Sequence, residues 1–193
     1  MRSCRLLVVI PLGAFALTSV GWADVFSEDF QSATIASYGN NSVIDGTDVN
    51  TGWEVSGPGL AAVIDASGNN FCQVSNSYLA RMQVYHDAFL AAGSYALSFD
   101  IEDPSTSLSG IYIEVFPSQG GAPIIDDYFS TLSTTFTTET LSFNIASNAA
   151  GTFQFRFSNS SNGNDAVNPT DLDNIHLRTE QAPEPFTMTL GLA

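Results

Sequence analysis

In the stretch FDIEDP, Asp100, Glu102 and Asp103 stand within four residues of one another. Paired carboxylates are the working parts of glycoside hydrolysis, one donating a proton while the other acts as base or nucleophile. Asp100 and Glu102 share a face if the segment is extended, but that chemistry also needs a cleft and a raised pKa, and the sequence displays neither. His86 and His176 are the only histidines. The chain has no Ser-His-Asp spacing, no histidine pair for zinc and no phosphate loop. It therefore reads as a non-catalytic protein.

A second chemistry is open to the polar sides of its apolar-alternating segments. Sugar rings are held by aromatic faces, with forked polar groups around them. GIYIEVFP sets Tyr112 and Glu114 opposite Ile111, Ile113 and Val115, and GTFQFRFS sets Gln154 and Arg156 opposite Phe153, Phe155 and Phe157. DLDNIHLR adds His176, and ARMQVY adds Arg81, Gln83 and Tyr85 when Met82 and Val84 point inward. Tyr85, Tyr112 and Arg156 are the candidate ligand contacts. The same alternation also describes any sheet with one face in water.

Strands must position these side chains. GSYALSFDIE puts Tyr95, Leu97, Phe99 and Ile101 on one face, and TLSFNIAS does the same with Leu141, Phe143 and Ile145; this period of two marks half-buried antiparallel strands. GWEVSG, LAAVID, NFCQVSN and YLARMQVYH read as further strands, with Trp53 and Cys72 as core residues, while YHDAFLAAG reads as one short helical turn. DPSTSLSG, PSQGGAP and SNSSNGNDAVNPTD supply the Gly, Asn, Asp and Pro chemistry of connecting loops. About ten short strands at this spacing predict an all-β fold with little helix, a two-sheet antiparallel β-sandwich of jelly-roll type.

The ends divide the chain. Arg2 and Arg5 precede an apolar run over residues 6–17, and Gly21 and Ala23 stand before a plausible cut: the pattern of a secretory signal peptide over residues 1–23. The run is too short for the ~20 apolar residues of a membrane span. Residues 24–180 form the sandwich and 181–193 a tail. With the leader gone, three arginines, Arg81, Arg156 and Arg178, face twenty acids, a balance of −17 with no lysine. That charge excludes nucleic acid and anionic membrane as partners and suits divalent cations, high salt or neutral polymers. Acidity also serves plain solubility. Cys72 would be the sole remaining cysteine, so no internal disulfide can form.

VFSEDFQS near the start, the later Gly52-Trp53 and the closing DLDNIHL together resemble the galactose-binding-like jelly rolls, a group that includes many carbohydrate-binding modules. The resemblance implies that first and last strands lie side by side around a structural calcium ion. Carried over residue by residue, it implies Glu28, Asp29, Gln31 and Asp173 as its ligands, and oxygens of this kind are what calcium takes. Gln31 stands where many relatives have Glu, and Asn174 where many have a second Asp, which lowers the ligand charge.

In the tail, Pro183-Glu184-Pro185 precedes the largely apolar residues 186–193. This order resembles the PEP-CTERM sorting signal of bacterial exported proteins, which implies processing by an exosortase-type enzyme, transient membrane contact and delivery to the cell surface or extracellular matrix. The apolar part is shorter than a span and no basic cluster follows, so the tail reads as truncated. The chain as a whole reads as an exported binder of polysaccharide or cell-surface glycan. The alternative is a self-associating matrix or adhesin protein with no glycan ligand.

Overall fold

The structure, a computed structural model, describes residues 22–56, 60–75, 83–104, 109–159 and 168–180. Nearly all of the leader, Arg81 and the Pro183-Glu184-Pro185 tail lie outside the described residues. The strands are β1 Trp22–Glu28, β2 Ala36–Tyr38, β3 Val43–Ile44, β4 Trp53–Ser56, β5 Leu60–Ala66, β6 Asn69–Ser75 and β7 Gln83–Leu90. They continue with β8 Gly93–Glu102, β9 Ser109–Pro117, β10 Ile125–Thr131, β11 Thr137–Ile145, β12 Gly151–Asn159 and β13 Thr170–Glu180. No helix occurs among the described residues.

All strand pairings are antiparallel and fall into two sheets. One has the order β11-β8-β13-β6-β5-β2, with β1 also on β13; the other runs β10-β9-β12-β7-β4-β3. The alternating apolar residues meet between them. Leu97, Phe99 and Ile101 of β8 face Ile111, Ile113 and Val115 of β9 and Phe155 and Phe157 of β12, all fully buried. Phe157 sets its ring at an angle to both Phe99 and Trp53, 5.5 Å between centroids in each case, the arrangement aromatic quadrupoles favour. Trp53 and Cys72 are core residues, 1% and 0% exposed. Burial pushes the Cys72 thiol up, away from reactivity.

Three features differ from the sequence reading. The segment HDAFL is not a helical turn. It completes β7, which pairs with β12 from Gln83↔Ser158 to Leu90↔Gly151, and this ladder overrides the weak local signal. The segment IDDYFST forms the edge strand β10 against β9. Lastly, β13 bulges between Asp173 and His176, with Asn174 at φ 47°, a left-handed conformation that Asn tolerates better than most side chains. Below the bulge β13 pairs with β6, and above it with β1.

The β5–β6 hairpin shows local chemistry setting register. Ser67 and Gly68 both have positive φ, 61° and 88°, as a two-residue type I′ turn requires. The Gly68 N–H donates to Asp65 Oδ1 at 2.7 Å. This turn fixes Asn69 and Asn70 at the end of the sandwich where β1 leaves its sheet.

Candidate functional site

The three predicted ligand contacts gather on the outer face of the six-stranded sheet. In that sheet Arg156 of β12 lies directly between Tyr85 of β7 and Glu114 of β9, and Tyr112 is the cross-strand partner of Ser158 one rung away. Each carries the outward parity opposite buried Val84, Ile113 and Phe155. His176 does not join them: it belongs to β13 in the other sheet. Alternation gives the parity of a strand but not the sheet that receives it.

The Arg156 guanidinium is fixed from three directions. Nη1 donates to Glu114 Oε2 at 3.2 Å and Nη2 to Gln154 Oε1 at 3.2 Å, while Cζ stands 4.5 Å from the centre of the Phe116 ring. Gln154 is itself held, its Nε2 donating to Asp87 Oδ1 at 3.3 Å, and Ser118 Oγ donates to the other Asp87 oxygen at 3.2 Å. The result is a flat polar platform with its rotamers already chosen. At its flank β10 contributes Tyr128, whose ring lies 4.7 Å from that of Tyr112 and is 41% exposed. Gly110 makes this possible, since a side-chain carbon there would overlap the Tyr128 ring. Tyr85 hydrogen-bonds Glu54, and burial together with that bond raises its phenol above the ordinary value, so it stays a neutral hydroxyl.

The predicted metal residues divide into two groups. β1 and β13 do lie side by side, with Glu28 opposite Ile175. Glu28 and Asp29 line a cleft of about 210 Å³ with Ser32, Asp45 and Asn174. Burial, with added repulsion from Asp45 and Asp29, lifts the Glu28 carboxyl to about 7 even though Oε1 accepts the Phe30 N–H at 2.6 Å. Gln31 and Asp173 turn instead toward Asn69: Gln31 Nε2 donates to Asn69 Oδ1 at 2.7 Å, and Asn69 Nδ2 donates to Asp173 Oδ2 at 3.0 Å. Among the described residues no three His, Cys, Asp or Glu side chains are gathered as a metal cluster. The His176 ring also lines the cleft; the cleft's carboxylate, hydroxyl and amide oxygens are the donors that fit a calcium-type ion. Asp45 is absent from the sequence reading because it reaches the cleft from the loop after β3, a contact that no local pattern encodes.

Asp100 and Glu102 sit on the outer face of the seven-stranded sheet, paired with Asp173 and Asp171 of β13. Burial raises Glu102, and burial with Glu102 and Asp103 nearby lifts Asp171 to about 7. Asp100 is engaged by the Thr138 hydroxyl and the Asn174 amide. Gln73 Nε2 donates to Asp171 Oδ1 at 2.8 Å. These carboxyls are built into the sheet's cross-strand bonding.

This architecture has solved counterparts. The tandem CBM22-1–CBM22-2 domains of Xyn10C from Paenibacillus barcinonensis match with a TM-score of 0.56 at 11% identity, over 88% of this chain and 50% of that one. The CBM22-1 xylan-binding domain of Xyn10C matches with a TM-score of 0.52 at 11% identity, over 86% of this chain and 100% of that one. The chain shares their two-sheet antiparallel β-sandwich fold. The CBM22-1–GH10 modules of Clostridium thermocellum xylanase 10B, solved with xylohexaose, match with a TM-score of 0.53 at 13% identity, over 82% of this chain and 29% of that one. No protein-family model and no curated protein matches the sequence.

Proposed function

We propose that the chain is an exported, non-catalytic protein that binds a neutral polysaccharide on the outer face of its six-stranded sheet. One observation carries this reading: Arg156 is locked between Glu114, Gln154 and Phe116 beside Tyr85 and the Tyr112–Tyr128 pair. Aromatic faces and forked polar groups are thus preorganised, and binding forfeits little side-chain entropy. The class is supported by neighbours in fold, one a xylan-binding domain and one solved with xylohexaose. Neutrality follows from charge, because among the described residues Glu54, Asp87, Glu114 and Asp126 share this outward parity with one arginine, Arg156, and would repel an anionic chain.

Native electrophoresis through gels containing soluble xylan, other neutral glycans or a polyuronate tests this directly. Retardation is expected in at least one neutral gel and none in the polyuronate. Normal mobility in all of them, with assemblies growing with protein concentration, would instead favour the self-associating matrix protein.

The same proposal includes a calcium ion where β1 meets β13, with Glu28 and Asp29 as ligands beside Asp45 and with Gln31 and Asp173 acting through the Asn69 network. The ion would supply the positive charge that lets these carboxyls ionise together. At a hundredfold excess over its Kd, calcium is expected to stabilise the fold by about 2.7 kcal/mol, read as a higher Tm than in chelator. Glu28→Gln should erase most of that difference; identical melts with and without calcium in the parent protein would remove the ion from the account.

Export rests on the leader at residues 1–23. The Pro183-Glu184-Pro185 tail is proposed to be read by an exosortase-type enzyme at the membrane, leaving the domain at the surface or in the matrix of a bacterium. β1 begins at Trp22, so a cut after Ala23 would remove the two rungs Trp22↔Glu180 and Ala23↔Thr179 and leave the Asp24–Arg178 ion pair, 2.9 Å, at the end of the ladder.

A further inference from the structure

A larger cleft, of about 560 Å³, opens at the side of the sandwich between β1 and the second half of β7. It exists because β4 pairs with β7 only from Gln83 to Tyr85. Beyond that point the Asp87 N–H bonds a loop carbonyl, that of Val49, at 2.9 Å. The inward position after Val84 is therefore His86, a polar ring where the ladder would otherwise demand an apolar one.

His86 is clamped between Phe26 and Trp53, with ring centres 4.7 and 5.3 Å away, and is 9% exposed. Its Nδ1 lies 2.9 Å from the Gly52 carbonyl. A carbonyl only accepts, so Nδ1 carries the proton and Nε2 is the ring's acceptor. Burial holds the imidazole below its usual pKa, which keeps it neutral. At the rim stands Phe89, 68% exposed.

Each of the cleft's two carboxyls accepts at least one hydrogen bond. Both oxygens of Asp87 accept hydrogen bonds, from Gln154 and Ser118, and Glu28 Oε1 accepts the Phe30 N–H. What is left to a ligand is an exposed aromatic face, a half-buried one, a neutral ring acceptor and the polar side chains of Asn50, Thr51 and Thr152. That set matches a small ring with an apolar face and a hydroxylated edge, and the volume lies within the ~300–1,000 Å³ typical of small-molecule sites. We propose that this side cleft is a second binding site, taking one neutral pyranose ring stacked on Phe89 with a hydroxyl donated to His86 Nε2. It adjoins the sheet face, sharing Asp87 with it, but uses none of Tyr85, Tyr112 and Arg156 and does not depend on their binding anything.

Glucose, galactose, mannose and xylose, each added in the tens of millimolar to isotope-labelled protein, provide the probes. The expected result is saturable shifts of the Trp53 indole, His86 imidazole and Phe89 ring signals with at least one of the four. Phe89→Ala, which alters an exposed side chain outside the core, should weaken that titration about tenfold, and Phe89→Trp should preserve it. The cleft site is overturned if none of the four sugars moves these signals, if the shifts are confined to Tyr112, Tyr128 and Arg156, or if Phe89→Ala titrates like the parent. Shifts in the cleft with none on the sheet face would uphold this site whatever longer oligosaccharides do on that face.

Discussion

Arg156→Ala is expected to lower affinity for a neutral oligosaccharide by about one to two orders of magnitude while the protein still folds. Hydrogen bonds to a charged group contribute about 1.5–3 kcal/mol, and 1.4 kcal/mol is a tenfold change in Kd. The variant loses those donors and also frees its neighbours. Gln154 Oε1 and Glu114 Oε2 each lose the bond from Arg156, and the Phe116 face loses its cation. The platform then has to be reordered on each binding event. The stability cost is smaller, about 1 kcal/mol, because the Arg156–Glu114 pair keeps 25% and 18% of its side-chain surface in solvent. Arg156→Lys retains the charge but not the planar fork or the ring stacking, and should fall between parent and Ala. Calorimetric titration beside urea melts checks both halves; unchanged affinity in Arg156→Ala would detach the residue from binding.

The second large effect is an inverted pH profile. Measured in chelator, the fold is expected to gain stability as pH drops from about 8 to 5, where most proteins with paired carboxylates lose it. Glu28 and Asp171 have folded-state values of about 7, chiefly through burial, and Asp173 and Glu102 are also raised. A carboxyl raised on folding holds its proton more tightly in the folded chain than in the unfolded one. Its stabilising share is complete below the unfolded value and is lost as pH rises through about 7. For Glu28 and Asp171 this is on the order of 2 kcal/mol each after allowance for solvent screening. General repulsion among twenty acids acts in the same direction, so variants are needed to apportion the effect. Asp171→Asn and Glu28→Gln should each flatten the profile between pH 5 and 8 in urea midpoints, whereas a profile as steep as the parent's in both would assign it to net charge alone.

The sandwich was legible in the sequence where one sheet face is apolar without interruption. Phe153, Phe155 and Phe157, or Leu97, Phe99 and Ile101, declare their strands because each alternates with a polar neighbour. Where the inward residue is not apolar, the signal fails. β10 has only Ile125 and Phe129 half-buried around exposed Asp127, an edge strand covered on one side. In the second half of β7, the inward positions His86 and Ala88 precede buried Leu90 while Phe89 faces out, so the alternation is interrupted.

The candidate site was legible in part for the same reason. Tyr85, Tyr112 and Arg156 could be read as outward-facing, and cross-strand register then made them neighbours. Tyr128 lay on the unrecognised β10, and Asp45 arrives through a loop, so neither could be read. His176 had the right parity and the wrong sheet. The acidic residues near the ends were visible, but the start of β6, where Asn69 and Asn70 draw Gln31 and Asp173 away from Glu28, is a contact between segments far apart in the chain.

Backbone amide shift mapping with a panel of neutral hexasaccharides, xylohexaose among them, tests the sheet-face reading most directly. The account predicts that at least one hexasaccharide moves a contiguous set of amides on β7, β9 and β12 around Tyr85, Tyr112 and Arg156, and that Arg156→Ala suppresses those shifts. No shift on that face with any of them, or shifts confined to the outer face of the seven-stranded sheet, would contradict it.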